Sequence, residues 1–265
     1  MTPFARSAIA LAACSASALC AAPAAAESLI ALSGAKSLTV IDPDSLKTTA
    51  KMDVTGVESL VGVDVRPADG MLYGLTATGD IVTIDMKTGA AAKKSALSEK
   101  LADGATVTVD FNPAADRLRV MTDKGVNLRV NVDDGKATVD GPLKFAEKDM
   151  HKGETPNVVA GAYTNSITGK KPEKTALYDI DATIPALLMQ APPNDGVLSA
   201  IGKLGVSISG PVAFNIVTGD DGATAAWLVT GGALYSVDLA TGKTREAGKL
   251  DVAGDIIDIA WAPAK

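Results

Sequence analysis

One alternating run returns five times along this chain: Leu38-Thr-Val-Ile-Asp42, Ile81-Val-Thr-Ile-Asp85, Arg129-Val-Asn-Val-Asp133, Leu177-Tyr-Asp-Ile-Asp181 and Leu234-Tyr-Ser-Val-Asp238. The closing aspartates are 43, 48, 48 and 57 residues apart. Alternation places successive side chains on opposite faces of a strand. Turn chemistry follows in most copies, as in Met86-Lys-Thr-Gly89, Asp134-Gly135 and Leu239-Ala-Thr-Gly242. Aspartate bonds its own backbone two residues on, and glycine accepts positive φ, so the five aspartates read as turn residues.

A second run precedes each of the later copies: Val61-Gly-Val-Asp-Val-Arg66, Val107-Thr-Val-Asp-Phe-Asn112, Val159-Ala-Gly-Ala-Tyr-Thr164 and Val212-Ala-Phe-Asn-Ile-Val217. It occurs once more at the C-terminal end, as Ile257-Asp-Ile-Ala-Trp-Ala262, with no repeat behind it. The first repeat, from Leu29-Ile-Ala-Leu, lacks this run, so the two partial repeats complete one another. Radially arranged four-stranded units of about 40 to 50 residues are the mark of a β-propeller, and the last strand commonly closes the first blade. The pattern predicts an all-β fold: five blades closed by the C-terminal strand, with six blades or a β-sandwich as alternatives. The fourth unit is the least regular, because Gly169-Lys-Lys-Pro-Glu-Lys174 falls where a second strand is expected.

The first 26 residues stand apart. Arg6 precedes an apolar run from Ala8 to Ala22, and Ala24-Ala25-Ala26 supplies small residues before Glu27. This is the pattern of a secretory signal peptide, too short and alanine-rich for a spanning anchor. It predicts cleavage near Ala26 and a periplasmic or secreted protein, with residues 27–265 as one propeller-like domain. Leu11-Ala-Ala-Cys14 offers the lesser alternative of a lipoprotein anchored at Cys14. Both cysteines, Cys14 and Cys20, fall in this segment, so the remainder builds no disulfide, thiolate metal site or redox pair. No later segment is long and apolar enough to cross a membrane as a helix.

The whole chain has 265 residues, with 31 acidic against 25 basic and a formal charge of −6. That balance argues against nucleic acid as a partner, since phosphate recognition needs a basic footprint. His151 is the only histidine, which excludes a histidine-based triad or a multi-histidine metal site. No phosphate loop or dinucleotide fingerprint is present.

Aligned by alternation, the first strands carry Val63/Val65, Val109/Phe111, Gly161/Tyr163, Phe214/Ile216 and Ile259/Trp261 on one face. Opposite them lie Asp64, Asp110, Ala162, Asn215 and Ala260 at one level, and Gly62, Thr108, Ala160, Ala213 and Asp258 at the next. If these strands are innermost, Asp64, Asp110 and Asn215 gather at the central channel. They would then either bond backbone groups of neighbouring blades or hold a hard, oxygen-seeking cation such as calcium. Arginine is scarce, yet Arg117, Arg119 and Arg129 fall on two runs joined by a tight turn. Planar guanidinium groups there suit a carboxylate or phosphate, or a structural partner among Asp110, Asp116 and Asp64. Arg66 and Asn112, at the ends of the first two of these first-strand runs, complete the candidate ligand-binding set.

Gly62-Val-Asp-Val-Arg-Pro-Ala-Asp69, Leu72-Tyr-Gly-Leu75, Asp110-Phe-Asn-Pro-Ala-Ala-Asp-Arg-Leu-Arg-Val120, Asn127-Leu-Arg-Val-Asn-Val-Asp133, Ala162-Tyr-Thr-Asn165, Leu177-Tyr-Asp-Ile-Asp181 and Gln190-Ala-Pro-Pro-Asn-Asp-Gly196 resemble the hallmark segments of a bacterial exported family, domain of unknown function 4394. The resemblance implies export and a single domain, and carries no catalytic residue or ligand with it. The sequence thus predicts a non-enzymatic binding propeller for a small molecule, glycan or protein. The alternative is a calcium-assisted hydrolase or lactonase-like enzyme built on Asp64, Asp110 and Asn215.

Overall fold

The computed structural model describes residues 27–219 and 221–263. The signal peptide expected at 1–26, with Cys14 and Cys20, lies outside them. Alternating sequence becomes strand throughout, and no α-helix occurs among the described residues. In chain order, β1 (Ser28–Ser33), β2 (Ser37–Ile41) and β3 (Thr48–Asp53) start the first blade. The second blade is β4 (Leu60–Val65), β5 (Leu72–Thr76), β6 (Asp80–Ile84) and β7 (Ala91–Ala96). The third is β8 (Val107–Asn112), β9 (Arg117–Thr122), β10 (Asn127–Val130) and β11 (Ala137–Val139). After the short β12 (Lys144–Phe145), the fourth blade is β13 (Val158–Tyr163), β14 (Leu177–Asp181), β15 (Ala186–Gln190) and β16 (Val197–Lys203). The fifth is β17 (Val212–Thr218), β18 (Thr224–Thr230), β19 (Ala233–Val237) and β20 (Thr244–Lys249).

The last strand, β21 (Ile256–Ala262), pairs antiparallel with β1 from Ser28↔Ala262 onward and becomes the innermost strand of the first blade. The five sheets form a five-bladed β-propeller closed by the C-terminal strand, as the complementary partial repeats predict. The inner strands β21, β4, β8, β13 and β17 contact one another in that cyclic order.

The apolar faces pack blade against blade. Tyr73, Ile81, Val109 and Phe111 fill the seam between the second and third blades, where the Tyr73 and Phe111 rings meet edge to face at 5.3 Å. Ile30, Val63 and Val82 fill the seam before it, and Ile180, Leu187, Phe214 and Leu228 join the fourth and fifth blades. Val, Ile and Leu suit these flat interfaces because they bury apolar area on a pleated surface without demanding polar partners.

Two repeat assignments change. Leu177-Tyr-Asp-Ile-Asp181 is the second strand of its blade, not the third. Gly169-Lys-Lys-Pro-Glu-Lys174 lies in the connection ahead of that strand, between β13 and β14. In the third blade the turn position belongs to Asn131 rather than Asp133: Asn131 exchanges backbone bonds with Lys136 and Gly135, as Asp85 does with Ala90 and Gly89, and Asp238 with Lys243 and Gly242. A slip of two residues preserves every inward and outward face, so alternation alone does not resolve it.

Candidate functional site at the channel mouth

Each inner strand is the edge of its sheet, so its channel-side N–H groups lack strand partners. Polar side chains from the preceding blade fill that need. Asp258 Oδ2 accepts the Val63 N–H at 2.9 Å, Asp64 Oδ2 accepts that of Phe111 at 2.7 Å, and Asp110 Oδ1 accepts that of Tyr163 at 2.9 Å. Thr108 Oγ1 accepts the Gly161 N–H at 3.0 Å. In every case the acceptor reaches one residue past its equivalent on the next blade, so the two levels read from alternation are the levels of the fold. Gly62 has a reason to be glycine here. A Cβ would lie 2.7 Å from Val109 Cγ2 and 3.0 Å from Asp258 Oδ2, in the space the first tie occupies.

The fourth blade offers only Ala160 and Ala162 at these levels. Asn215, from the fifth blade, donates its amide to Asp110 Oδ2 at 3.4 Å instead. Asp64, Asp110 and Asn215 thereby come together and form part of the wall of a cavity of about 360 Å³ at the C-terminal ends of the inner strands. Val65, Ile216, Thr218 and Trp261 add further walls.

The cavity has a cover that comes from the irregular unit. Residues 164–176 leave β13 as a strap whose base is zipped by Thr164 N–H to Ala176 O at 2.9 Å and by the Asn165 side-chain amide to Lys174 O at 2.9 Å. The Gly169 N–H donates to Pro67 O at 2.8 Å, which ties the fourth blade to the second. Ser166, Ile167 and Thr168 face the cavity from this strap.

Burial sets the electrostatics. The Asp64 carboxyl is pushed up to about 7 by desolvation, against the opposing pull of its backbone donors. Asp110 and Asp258 are held well above the usual carboxylate range, first by burial and then by neighbouring carboxylates, Asp64 among them. Among the described residues no group of three or more acidic, histidine or cysteine side chains is placed to hold a metal ion. The calcium expected at Asp64, Asp110 and Asn215 would compete with the blade ties for the same oxygens.

The arginines lie elsewhere. Arg119, 1% exposed, donates Nε to Tyr163, Nη1 to Asn127 and Asp140, and Nη2 to Asn194. Arg129 holds both oxygens of Asp140, at 2.7 and 2.9 Å. Their carboxylate is therefore Asp140, not Asp110, Asp116 or Asp64. Arg117 stays apart and donates to its neighbour's carbonyl, Asp116 O. Arg66 grips Asp116 through Nε and Nη2 at 2.8 and 2.6 Å and also reaches Asp69 and Asp133. Asn112 accepts the N–H groups of Ala114 and Ala115 and so shapes the β8–β9 turn. Sequence reasoning missed Trp261 and the strap as parts of the site. It also missed Asp140, and Asp179, a fully buried carboxyl on β14 whose two oxygens have no hydrogen-bond partner among the described residues.

The model of a family described as a domain of unknown function, DUF4394, matches residues 37–260. The chain belongs to the DUF4394 family. No curated protein matches it in sequence. A solved protein of unknown function from Bacteroides thetaiotaomicron is similar, with 16% identity and a TM-score of 0.54 over 92% of this chain and 66% of that one. One from Bacteroides caccae, also of unknown function, gives 14% identity and 0.45 over 86% and 75%. An auxiliary nutrient binding protein from Bacteroides ovatus gives 13% and 0.47 over 82% of this chain and 58% of that one. At such identities the likeness of this DUF4394 chain to solved structures concerns the fold alone.

Proposed function

We propose that this DUF4394 chain is an exported, non-enzymatic binding protein that takes a small molecule into the strapped chamber at the channel mouth. The chamber is the observation that carries the reading. It is a concave site of about 360 Å³ with a few convergent polar groups and apolar walls, the usual make-up of a ligand pocket. Its carboxyl oxygens already serve as blade ties, so they shape a binding surface more readily than they act as mobile acids and bases. The pattern of residues 1–26 supports export to the periplasm or beyond. Among the described residues no helix is long and apolar enough to cross a membrane.

Val217 lines the mouth and makes none of the blade ties, so Val217→Trp narrows the entrance while leaving the ring intact. Native mass spectrometry of the protein recovered from its own cells, beside the variant, tests the reading. The expected result is a bound small molecule on the natural protein and at least tenfold less on Val217→Trp. Equal occupancy on both would overturn it.

A further inference from the structure

The inner surface of the chamber divides by strand face. Asp64, Asp110 and Asn215 point into the channel, and Val217 and Ala262 lie on that same face, two residues beyond Asn215 and Ala260. Val65, Ile216 and Trp261 turn the other way, into the blade seams, and only border the cavity. From the strap, Ser166 and Thr168 add hydroxyl groups and Ile167 a hydrocarbon side chain. The polar wall is thus two carboxyls, an amide and two hydroxyls, with Asp64, Asp110 and Asn215 only 7%, 5% and 6% exposed.

These groups act in both hydrogen-bonding directions. The Asn215 amide donates to Asp110 Oδ2 at 3.4 Å and draws on Asp64 as well, so the two carboxyls stand side by side, within reach of one NH2 group. A carboxyl offers about four acceptor sites when ionised and an O–H donor when protonated, and the blade ties take only part of that capacity. Burial holds Asp64 near 7 and Asp110 well above the usual carboxylate range, so at neutral pH the pair donates as well as accepts. An anion would lie against like charge here. A hard metal ion asks for six to eight oxygens at once, more than two carboxyls and an amide turn inward while they hold the blades. A hydroxyl group is donor and acceptor together and suits such a wall. The cavity, about 360 Å³, lies near the lower end of the roughly 300–1,000 Å³ of ordinary ligand pockets, and with the strap above it takes a compact molecule rather than a long chain.

Resting on the chamber as a binding site, we propose that its ligand is a small neutral polyol or sugar, held through hydroxyls on neighbouring carbons by Asp64, Asp110 and Asn215 and capped by Ser166 and Thr168 of the strap. Its C–H groups pack on Ile167, Val217 and Ala262. A site built to hydrogen-bond a hydroxyl rejects the analogue that lacks it, because buried polar groups are then left unpaired. The strap hydroxyls make none of the blade ties, so they can be removed without opening the ring.

The test is isothermal titration calorimetry of the whole protein at pH 7 with glucose, galactose, mannose, xylose and myo-inositol. Tetramethylammonium, acetate and N-methylacetamide serve as cationic, anionic and amide controls. The expected result is that at least one polyol binds tenfold or more tighter than every control, and that removing either of two neighbouring hydroxyls weakens it at least tenfold. That binding should fall at least tenfold in Asn215→Ala and in the double variant Ser166→Ala, Thr168→Val, which spares the sheets. No polyol binding above the controls, or unchanged affinity in both folded variants, would overturn the proposal. A control compound that binds the natural protein but not Val217→Trp would sink the polyol assignment alone and leave the binding reading standing. Polyol binding that Val217→Trp leaves intact would instead remove the chamber as the site and overturn both.

Discussion

Asp64 offers a direct measure of how the channel is held together. Its carboxyl is moved from an ordinary value of 3.8 to about 7, chiefly by burial, while its Oδ2 accepts the Phe111 N–H at 2.7 Å. Below pH 3.8 folded and unfolded chains both keep the proton and its pKa shift affects neither. Between there and about 7 the unfolded chain releases it and the folded chain retains it, so each pH unit removes about 1.4 kcal/mol of stability. Above about 7 both forms are ionised, and the loss levels off at about 4 kcal/mol. Asp64→Asn keeps an oxygen for Phe111 and removes the titration. Urea denaturation followed by circular dichroism between pH 4.5 and 8 compares the two proteins. The variant should already lead by about 1 kcal/mol at pH 4.5, then pull ahead until it is more stable by up to about 4 kcal/mol at pH 8. With a urea slope of about 3 kcal/mol/M, that is a midpoint more than about 1 M higher. Asp64→Ala should differ in kind, because the orphaned Phe111 N–H costs about 1–3 kcal/mol across the whole range. A natural protein whose stability is flat or rising from pH 5 to pH 7.5, with Asp64→Asn running parallel to it, would refute the reasoning.

Further outcomes follow from the seams between blades. Asp140→Ala strips the partner from Arg119, which is buried, and from Arg129, and should cost about 3–5 kcal/mol in the same urea experiment. Gly62→Ala forces a methyl group against Val109 and Asp258 and should lower stability by about 1–3 kcal/mol. Asp179, pushed up to about 8 by burial, should make the natural protein lose stability as pH rises toward 8, and Asp179→Ala should lose less over that window. Calcium and a chelator should leave the thermal midpoint unchanged, since the Asp64 and Asp110 oxygens are engaged by the blades; a calcium-induced rise abolished in Asp110→Asn would contradict this.

The architecture was legible because it rests on period two and on complementarity. Inner strands must be apolar toward the preceding blade, and Val63/Val65 and Val109/Phe111 announce that face. The polar residues between them, Asp64, Asp110 and Asp258, stand out in strands otherwise built for burial. Their depth was legible too, since alternation fixes which residues share a level. What alternation does not encode is a slip by two. Asp133 therefore looked like a turn aspartate, when Asn131 holds the turn and the Asp133 carboxylate pairs with Arg66 and Lys94.

The chamber was harder to read because its parts come from elements that sequence proximity does not join. Asp64 and Asp110 share the pattern of the inner strands, but the strap is an insertion that belongs to no repeat. Its polar stretch breaks the periodicity of the fourth blade, and the same departure lets it leave the sheet and reach Pro67 two blades away. A propeller blade needs only a short link between its first and second strands, so a long, polar link with a zipped base serves something other than the sheet. Here it covers the end of the channel where Asp64, Asp110 and Asn215 line a common cavity. The least regular segment of the repeat is thus the one that turns a closed ring of sheets into a site with an inside.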